Sequence, residues 1–592
     1  MAENHRIVPQ TVVPDASDEE SLDAWGFRDS GFEITENGHV RMRGSRYPLS
    51  GQELPALIPW IRGILQVDLD LDDVHTPHYP PPVPKPRVGR TVRAALEAVL
   101  RDDQIVVDDE TRVRHAHGHT QEDMWAIRYG SLERIPDVVV YPESDEEVQR
   151  IVEAAISTNA AIIPYGGGTN VSEALSCPVG ERRTIISVDL ARMNRVRWID
   201  PVNHTACVEA GAVGRYMQKT LAPHGFTIGH EPDSIEFATL GGWIATNASG
   251  MKKNRYGNIE DLVEDLTAVL PDGVLRREHV GPRESVGPDL RSLLFGSEGD
   301  FGIITSAVVR IFPLPEVQRF DSILFHSFED GVAFMHELTR AQLEPASVRL
   351  VDNMQFQFSQ ALKPASVGLK RLKSRLQKWI VTRVKRFDPE RMVACTLVYE
   401  GAKDEVASHQ RKLRPLIRRH SGMLAGAENG RRGYAMTFAI AYIRDFIMRY
   451  HIIAESFETS VAWSDLEEMC RRVKERVYVE HSSRELPGRP YVTCRVTQVY
   501  PSGACVYFYL AFYSKGLDRP NEVFSEIERA ARDEVLASGG TLSHHHGIGK
   551  IRAPFADRIV SQSGGKLLGQ LKKAIDPKNV FAAGNGLLAP KG

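Results

Sequence analysis

Three consecutive glycines follow directly on an apolar run, and this junction constrains the fold more than any other feature of the 592-residue chain. Ala160–Tyr165 has the apolar and β-branched residues of a buried strand, and Gly166–Gly168 continue it as a loop. Glycine adopts backbone conformations that other residues resist, so such a loop can point several N–H groups toward one anion. A phosphate or pyrophosphate is the usual ligand, although many glycine runs are only turns.

The residues before this loop predict a strand, a helix and a second strand. Val138–Val140 is a short β-branched run that ends in a proline-containing turn. Ser144 is placed to cap a helix, with Glu147 three residues later as in a capping box. Apolar residues of this helix fall on one face: Val148, Ile151, Val152, Ala155 and Ile156.

Two further loops of glycines and small residues follow. Glu231–Gly250 (EPDSIEFATLGGWIATNASG) contains a glycine pair, and Gly296–Thr305 (GSEGDFGIIT) is a glycine-punctuated turn that enters a β-branched run. Each loop alone could be scaffold, but three in this order are much harder to explain in that way.

Length, charge and cysteine usage restrict the class of protein. The chain is too long for one hydrophobic core, so two or three domains are expected. Lys and Arg number 73 against 77 Asp and Glu, and a net charge of −4 gives no general attraction to nucleic acid. The six cysteines form no Cys-x-x-Cys pair, no apolar run could span a bilayer, and no secretory signal is recognised. Reduced thiols in an intracellular protein are therefore expected.

Two segments stand apart by composition. Residues 1–20 are polar without periodicity, which predicts a disordered tail, and six prolines in ten residues from Pro77 predict a stiff linker. Lys370–Arg386 has eight basic residues and no acidic one, with apolar residues at helical spacing on the opposite face. That pattern is typical of a helix in a membrane interface, but a solvated basic helix on a core fits equally well.

Three adjacent histidines, His544, His545 and His546, precede two closely spaced glycines. Adjacent side chains point to opposite faces of a strand, or lie about 100° apart around a helix, so they do not converge easily on one zinc ion. A buried structural role is the usual alternative for any single histidine. Gly547 and Gly549 instead indicate close backbone approach to a ligand, and no metal is expected.

Several short motifs together resemble one enzyme family. RYPLSG (46–51), GHEPDS (229–234), GMKKNRYGNIEDL (250–262), AYIRDF (441–446), AESFETS (454–460), CRVTQVY (494–500) and SHHHGIGK (543–550) are similar to motifs of the alkyldihydroxyacetonephosphate synthase family, in the vanillyl-alcohol oxidase superfamily. The resemblance runs from about residue 25 to residue 588. It implies an α+β fold that combines an α/β sandwich FAD-binding domain of that type with a substrate-binding cap domain and helical extensions.

The resemblance also implies the domain organisation. An N-terminal helical region with the proline-rich linker is expected at 21–90, the FAD-binding domain at 91–315 and the cap domain at 316–540. Residues 541–592 are expected to return to the flavin, which is bound non-covalently.

By the same resemblance the three loops hold the FAD. The predicted contacts are Pro164, Tyr165, Gly166, Gly167, Gly168, Thr169 and Asn170 in the first loop, then Asp233, Ser234, Ile235, Glu236, Phe237, Ala238, Thr239, Thr246, Asn247, Ala248 and Ser249 in the second, and Glu298, Gly299, Asp300, Phe301, Gly302, Ile303 and Ile304 in the third. The family usually has Glu-Gly-Thr-Leu-Gly in the third loop, so Asp300 and Phe301 are departures that leave both glycines in place.

The implied reaction exchanges the acyl group of acyl-dihydroxyacetone phosphate for a long-chain fatty alcohol, forming the ether bond of ether lipids without net oxidation. Flavin N5 is taken to attack substrate C1 and expel the fatty acid, after which the alcohol attacks the covalent adduct. Tyr507 is the candidate acid or base, with His544, His545 and His546 beside it. Alternating Tyr507 and Tyr509 also fit an ordinary strand.

Three further residues are candidates for binding the substrate. Arg444 lies in the apolar segment FAIAYIRDFIM, so it must pair with Asp445 or with an anion. The resemblance assigns it to the substrate, and we hypothesise that it binds the phosphate or the departing carboxylate. By the same resemblance Arg349 matches a family position important for activity, and a structural or supporting role is favoured there over direct contact with the substrate. Asn585 lies in the closing segment expected near the flavin.

The expected setting is a cytoplasmic homodimer, peripheral to a membrane through residues 369–386, with no nucleic-acid partner. Animal members of the family are usually peroxisomal, but no import signal is recognised here. The main alternative is an FAD-dependent D-2-hydroxy-acid dehydrogenase or oxidase, whose members typically carry Glu-His-Gly where this chain has His545-His546-Gly547. A non-catalytic lipid- or flavin-binding protein is a second alternative.

Overall fold

The computed structural model describes residues 5–14, 18–279, 281–365 and 379–589. Its strands in chain order are β1 (Gly31–Ile34), β2 (Val40–Arg43), β3 (Glu53–Leu54), β4 (Ile105–Val106), β5 (Val138–Val140), β6 (Ala161–Tyr165), β7 (Ile185–Asp189), β8 (Val196–Asp200), β9 (Thr205–Glu209), β10 (Phe226–Thr227), β11 (Val263–Leu270), β12 (Gly273–Leu275), β13 (Ile303–Arg310), β14 (Phe312–Pro313), β15 (Val317–Phe325), β16 (Ser347–Val351), β17 (Val393–Gly401), β18 (Met423–Leu424), β19 (Ile452–Ala462), β20 (Tyr491–Tyr500) and β21 (Gly503–Tyr513).

The α-helices are Leu57–Leu65, Arg90–Glu97, Asp109–Arg114, Gln121–Tyr129, Asp145–Thr158, Gly214–Leu221, Leu240–Ala245, Lys253–Tyr256, Ile259–Leu262, Phe328–Arg340, Asn353–Ala361, Lys403–Arg419, Ala427–Met448, Leu466–Ser483, Pro520–Ala537, Ala556–Ile559 and Gln562–Ile575. Within the described ranges, none of these helices combines the length and the apolar content that crossing a bilayer requires.

Residues 91–315 contain β4–β14, which form two main sheets around one core. Strands β5, β7 and β6 pair in parallel with β4 antiparallel at the edge, and a five-stranded antiparallel sheet has the order β12-β11-β13-β9-β8. Helix Asp145–Thr158 connects β5 to β6, and the Ser144 hydroxyl accepts the backbone N–H of Glu147 at 3.2 Å. The predicted succession of strand, helix, strand and glycine loop is therefore confirmed.

Residues 316–540 contain β15–β21, paired in the order β18-β15-β17-β16-β20-β21-β19. In strand β21 the side chains of Phe508 and Phe512 lie in the core beneath the helices. Tyr507 and Tyr509 alternate with them and face a cavity on the opposite side. The strand that the alternation of Tyr507 and Tyr509 fits is confirmed as part of β21.

The region 21–90 is less helical than predicted. Strands β1, β2 and β3 form a small antiparallel sheet, followed by helix Leu57–Leu65. The turn between β1 and β2 contains Asn37-Gly38, with Gly38 at φ 73°, and Asn-Gly is the strongest short hairpin signal. This unit packs on helix Ala427–Met448 of the cap through one hydrophobic cluster.

The prediction of a disordered tail is wrong for the described part of residues 1–20. Ile7 exchanges two backbone hydrogen bonds of 2.8 Å with Ile199 at the edge strand β8, and the Val12 N–H donates to Thr220 Oγ1 at 2.9 Å. An edge strand presents unpaired backbone groups, and this segment pairs with them.

The described part of the C-terminal segment, residues 541–589, returns to the first domain. The Ile162 N–H donates to the carbonyl of Val580 at 2.7 Å, which adds this segment to the edge strand β6. The basic segment predicted at 369–386 lies partly outside the described residues, which resume at Trp379. The six cysteines are buried free thiols.

Candidate active site

A cavity of about 390 Å³ lies where the N-terminal unit, the first domain, the cap and the C-terminal segment meet. Pockets that hold cofactors and small ligands usually occupy roughly 300–1,000 Å³. Each of the four parts contributes to its walls, for example through Trp60 of the N-terminal unit, Gly166 of the first domain, Tyr507 of the cap and His545 of the C-terminal segment. The site therefore exists only when all four parts are assembled.

The three glycine-containing loops form one wall of this cavity. The predicted cofactor residues that line it are Pro164, Tyr165, Gly166, Gly167, Gly168, Thr169, Asn170, Asp233, Ser234, Ala238, Thr239, Thr246, Ala248, Ser249, Glu298, Gly299, Gly302, Ile303 and Ile304. Loops that are up to 130 residues apart in sequence thus meet at one surface.

Six predicted cofactor residues do not line the cavity: Ile235, Glu236, Phe237, Asn247, Asp300 and Phe301. Two of them, Glu236 and Asp300, support the loops through hydrogen bonds. Glu236 accepts the hydroxyl of Tyr47 at 2.8 Å, and Asp300 accepts the backbone N–H groups of Gly584 at 2.8 Å and Asn585 at 2.9 Å. Asp300, which differs from the usual family sequence, therefore attaches the C-terminal segment to the third loop.

The wall has the properties of a cradle for a phosphate-bearing cofactor. A Cβ at Gly167 would meet the carbonyl oxygen of Phe237 at 2.2 Å, and Gly168 and Gly299 have φ values of 68° and 84°. The Asn170 amide nitrogen is buried without a hydrogen-bond partner among the described residues. Glycine is required at these positions, and Asn170, the residue with the unpaired donor, lines the cavity.

The histidine triplet is held by one buried carboxylate that the sequence analysis did not identify. Glu458 accepts the Ser543 hydroxyl at 2.6 Å and the backbone N–H groups of His545 at 3.2 Å and His546 at 2.9 Å, together with that of His544. The pKa of Glu458 lies well below its usual range despite the opposing effect of burial, and these four donors stabilise the ionised carboxylate. One carboxylate thus holds the backbone of all three histidines in place.

Gly547 and Gly549 were predicted to allow the backbone to approach a ligand closely, and this prediction is wrong. These glycines approach protein groups rather than a ligand, since a Cβ at Gly547 would meet Glu298 Oε1 and one at Gly549 would meet the carbonyl of Ser172. Glu298 accepts the Gly549 N–H at 2.8 Å. The tight turn therefore locks the histidine loop onto the third cofactor loop.

Two of the three histidines reach Tyr507. The Tyr507 hydroxyl lies 2.6 Å from His545 Nε2 and 3.4 Å from His546 Nε2, while His544 Nε2 lies 2.7 Å from the Tyr500 hydroxyl. Burial raises the pKa of Tyr507 well above its usual value and lowers the pKa of His545. At neutral pH the pair is therefore a protonated phenol beside a neutral imidazole, which can accept its proton.

Four side chains around this loop have the atoms to form a metal site. The ligand atoms of Glu458, Cys505, His544 and His545 all lie within 4.8 Å of one another. However, Glu458 already accepts four hydrogen bonds, and the Nδ1 atoms of His544 and His545 are 2.8 Å apart in a hydrogen bond of their own. A cation would have to displace these bonds.

The predicted substrate residues differ in their surroundings. Arg444 lines the cavity and pairs with Asp445 at 2.9 Å, as predicted, and also with Glu455 at 3.2 Å. Arg349 lines the cavity and lies 3.4 Å from Asp233. Asn585 does not line the cavity, because its side chain donates to the carbonyls of Ala174 and Glu298 and accepts from Lys550.

Arg495 and His119 are polar residues of the cavity that the sequence patterns did not reveal. Arg495 of β20 lies 3.3 Å from Asp233, and its guanidinium is 4.5 Å from the ring centre of Tyr507. Its Nε has no hydrogen-bond partner among the described residues. His119 also lines the cavity, and within the described part of the chain its Nδ1 has no hydrogen-bond partner. Arg495 could have been found as an arginine within an apolar strand, and His119 as the last histidine of the run His-Ala-His-Gly-His.

One arm of the cavity is apolar. Its side chains come from helix Leu57–Leu65, helix Asn353–Ala361, helix Ala427–Met448 and β20: Trp60, Ile64, Phe358, Phe438, Ile447 and Tyr491. The cavity therefore joins a polar end, at Tyr507 and the arginines, to a hydrocarbon-like arm, which suits an amphiphilic ligand.

Sequence families with a known cofactor match both main parts of the chain. Residues 136–278 match the family described as FAD binding domain, and residues 314–585 match FAD linked oxidases, C-terminal domain. The three loops and their cradle lie within or beside the first match. FAD is therefore the cofactor, and the predicted fold class is confirmed.

Individual relatives specify the family further. The alkyldihydroxyacetonephosphate synthase of Caenorhabditis elegans is 44% identical over 570 residues, covering 95% of this chain and 94% of that protein. A solved alkyldihydroxyacetonephosphate synthase structure superimposes with a TM-score of 0.83 at 27% identity, covering 96% of this chain and 98% of that one. A yeast mitochondrial D-lactate dehydrogenase (cytochrome) is 30% identical but over only 43% of each chain. The chain belongs to the alkyldihydroxyacetonephosphate synthase family.

Proposed function

We propose that the protein exchanges the acyl chain of 1-acyl-dihydroxyacetone phosphate for a long-chain fatty alcohol, producing an alkyl ether. The observation that carries this proposal is the shape of the cavity, in which a polar end beside the FAD loops continues into an apolar arm. An acyl-dihydroxyacetone phosphate has the same division, with a charged headgroup and a long hydrocarbon chain. The names of the relatives support the same reaction.

The phosphate of the substrate is best placed at Arg349 and Arg495. These two guanidinium groups share one carboxylate, Asp233, so the pair keeps a net positive charge. The positive charge of Arg444 is already neutralised by its ion pairs with Asp445 and Glu455. A phosphate dianion bound at Arg444 would be repelled by these two carboxylates. We therefore assign the phosphate to Arg349 and Arg495 rather than to Arg444.

Tyr507 and His545 handle the proton of the incoming alcohol. The phenol keeps its proton at neutral pH and is hydrogen-bonded to an imidazole that can accept it. The alcohol oxygen gains nucleophilic character when its proton moves to this pair. Bound FAD would supply the nucleophilic centre that holds the substrate between the loss of the acyl group and the arrival of the alcohol.

The apolar arm keeps the hydrocarbon chains out of water. Trp60 and Ile64 belong to the N-terminal unit, so this unit completes the substrate site. Excluding water from the polar end favours attack by the alcohol over hydrolysis.

The test is direct. Purified, FAD-loaded protein is incubated with palmitoyl-dihydroxyacetone phosphate and labelled hexadecanol, and the product is examined for an alkali-stable ether. We expect ether formation that depends on both lipids. Absence of ether, together with bleaching of the flavin absorbance by D-lactate or D-2-hydroxyglutarate, would instead identify a hydroxy-acid dehydrogenase.

We also propose that the protein acts at the surface of a membrane from the cytoplasm. Trp379 and Val384, at the described end of the basic segment, are 56% and 55% exposed, and large exposed apolar side chains beside basic ones favour anionic lipid. Sedimentation with vesicles rich in phosphatidylserine should retain the protein, and Trp379→Ser with Arg383→Gln should weaken retention. Equal retention of the variant contradicts this role for the segment, and cell fractionation tests the compartment.

A homodimer is the remaining part of the proposal. It rests on the family resemblance rather than on a contact within this single chain. Light scattering on the purified protein should give twice the mass of 66.1 kDa. A monomeric mass at micromolar concentration would contradict it.

A further inference from the structure

We propose that Tyr507, His545, His544 and Tyr500 form a proton relay that carries one proton per turnover from the cavity to the exposed turn between β20 and β21. The inference rests on the proposed function and deepens it, because it assigns tasks to Tyr500 and His544, which do not line the cavity.

The four side chains make one continuous line of short hydrogen bonds. The Tyr507 hydroxyl lies 2.6 Å from His545 Nε2, His545 Nδ1 lies 2.8 Å from His544 Nδ1, and His544 Nε2 lies 2.7 Å from the Tyr500 hydroxyl. Each imidazole uses one nitrogen toward the cavity and the other away from it. This is the arrangement in which a ring can receive a proton on one side and release a proton on the other.

The line runs from the interior to the protein exterior. Tyr507 and His545 line the cavity, and Tyr507 is only 5% exposed. Tyr500 is the last residue of β20 and is partly exposed, and Pro501 and Ser502, which follow it in the turn, are exposed. A proton released at Tyr500 can therefore reach water without crossing the cofactor site.

The hydrogen bonds can all point in one direction. Burial lowers the pKa of His545 and lowers that of His544 to about 3, so both rings are neutral and each has one donor and one acceptor nitrogen. Tyr507 then donates to His545 Nε2, His545 Nδ1–H donates to His544 Nδ1, and His544 Nε2–H donates to Tyr500. The Asn258 side-chain N–H, 3.3 Å from the Tyr500 oxygen, also donates to it, which leaves the Tyr500 O–H free to donate outward.

Charged groups surround the relay without interrupting it. Glu458 binds the backbone of the histidine loop rather than the relay nitrogens, and the Lys253 ammonium lies 3.5 Å from the ring centre of Tyr500. The other titratable groups near it are His230, Asp233, Glu260, Asp261, Arg495, Cys505 and Arg552. His546 is a branch rather than a link, since its Nδ1 lies 3.7 Å from Glu458.

The reaction needs such an exit because it releases one proton. The bond between substrate C1 and the ester oxygen breaks, and its electron pair leaves with the fatty acid, which is a carboxylate at neutral pH. The new bond joins C1 to the alcohol oxygen, which loses its proton. That proton enters at Tyr507 as Tyr507 passes its own to His545, and each following group passes one on until Tyr500 delivers one to water.

The test separates transport of the proton from construction of the site. Ether formation by the unaltered protein is measured first and decides the proposed function. Tyr500→Phe then removes the outer end of the relay, and Tyr513→Phe is the control, since it is the same change on the adjacent strand β21 away from the relay. Flavin absorbance and thermal unfolding confirm that both variants fold and hold FAD.

We expect Tyr500→Phe to lower kcat by about tenfold or more, because loss of a positioned proton-transfer group typically costs at least that much. The KM for acyl-dihydroxyacetone phosphate should not change, the solvent deuterium isotope effect on kcat should rise, and Tyr513→Phe should match the unaltered protein. His544→Ala should show the same loss, and added imidazole should restore part of the rate by filling the gap. An unchanged kcat and isotope effect in Tyr500→Phe, or a loss in His544→Ala that imidazole does not relieve, would overturn the relay.

Discussion

Tyr507 is the residue whose surroundings say most about the chemistry. It is a buried phenol with a neutral imidazole at 2.6 Å and a guanidinium above its ring, whereas Tyr509, two residues along the same strand and also in the cavity wall, makes no contact with the histidine loop that the structure records. The strand pattern cannot distinguish the two tyrosines, because both face the same side. Only the approach of residues 544–546 does so.

We predict that Tyr507→Phe retains FAD but loses ether formation by about 100-fold or more, since it removes the group that exchanges the alcohol proton. Tyr509→Phe is the matched control and should stay within about threefold of the unaltered protein in the same assay. Turnover that survives in Tyr507→Phe would remove this residue from the mechanism. Labelled hexadecanol incorporation and flavin absorbance are the two measurements.

A second prediction concerns the binding of the substrate phosphate by Arg495. Arg495→Met, with FAD retained, should raise the KM for acyl-dihydroxyacetone phosphate by roughly tenfold to a hundredfold, as expected for a lost hydrogen bond to a charged group. Asp233→Asn should tighten binding of dihydroxyacetone phosphate, because it removes the carboxylate that competes for both arginines. Flavin difference spectra give the affinity. Unchanged affinity in Arg495→Met would place the phosphate elsewhere.

The expected absence of a metal remains a prediction, although Glu458, Cys505, His544 and His545 lie close together. His545→Ala should lower activity by about 100-fold without changing the metal content of the protein. A chelator should leave the unaltered protein fully active, and elemental analysis should find less than one metal ion per chain. Inhibition by a chelator that added zinc reverses would establish a metal site.

At the scale of elements, the C-terminal segment is attached to the third cofactor loop through Asp300. The carboxylate is 3% exposed and accepts two backbone N–H groups of that segment. Burial raises its pKa from 3.8 to about 7, against the opposing effect of those hydrogen bonds. The native state therefore binds a proton more readily than the unfolded chain between these two values.

Because this pKa is raised in the native state, the stability of the protein depends on pH in a defined direction. The contribution of Asp300 to the free energy of unfolding is fully present below pH 3.8 and is lost as the pH rises toward about 7. The reason is that the carboxyl group of the unfolded chain releases its proton at a lower pH than that of the native protein. We predict that the thermal stability of the unaltered protein falls relative to Asp300→Asn across this window and stays constant above it. Asp272→Asn, at an exposed position, is the control. A stability difference that does not vary with pH would contradict the assignment.

The cap strands show why pattern alone placed some residues and not others. Alternation in β21 fixed which side Tyr507 faces, and an arginine in an apolar helix correctly indicated that Arg444 has a carboxylate partner. Arg495 of β20 has the same kind of signal, and its pairing with Tyr507 across the strands is what places it in the site. Register between strands is a tertiary property, so the sequence alone did not provide it.

At the scale of the whole molecule, the cavity is shared by four parts of the chain. FAD bound there would contact the first domain and the elements that close over it. We predict that FAD raises the free energy of unfolding by about 2.7 kcal/mol when its free concentration is about a hundredfold above its Kd. Calorimetry should show the domains unfolding together with FAD and at lower temperature without it. An unchanged unfolding temperature would mean that the cofactor does not join the domains.

The sequence by itself determined the local structures and the family. The strand before Gly166–Gly168, the helix capped by Ser144 and the three loops follow from short-range patterns, because propensity and capping act within a few residues. The combined motifs were specific enough to indicate the family and its cofactor. Sequence also suggested Tyr507 and the histidines, but only through that resemblance.

The tertiary structure alone decided which of these residues meet. Glu458 organises the histidine loop from a strand about 85 residues away, Asp300 supports the loop rather than facing the cofactor, and Asn585 turns away from the cavity. The tail that lacks periodicity pairs with an edge strand, and the N-terminal hairpin completes the apolar arm. These contacts form because buried polar groups must find partners and apolar faces must be covered, and those requirements are met between segments that are distant in sequence.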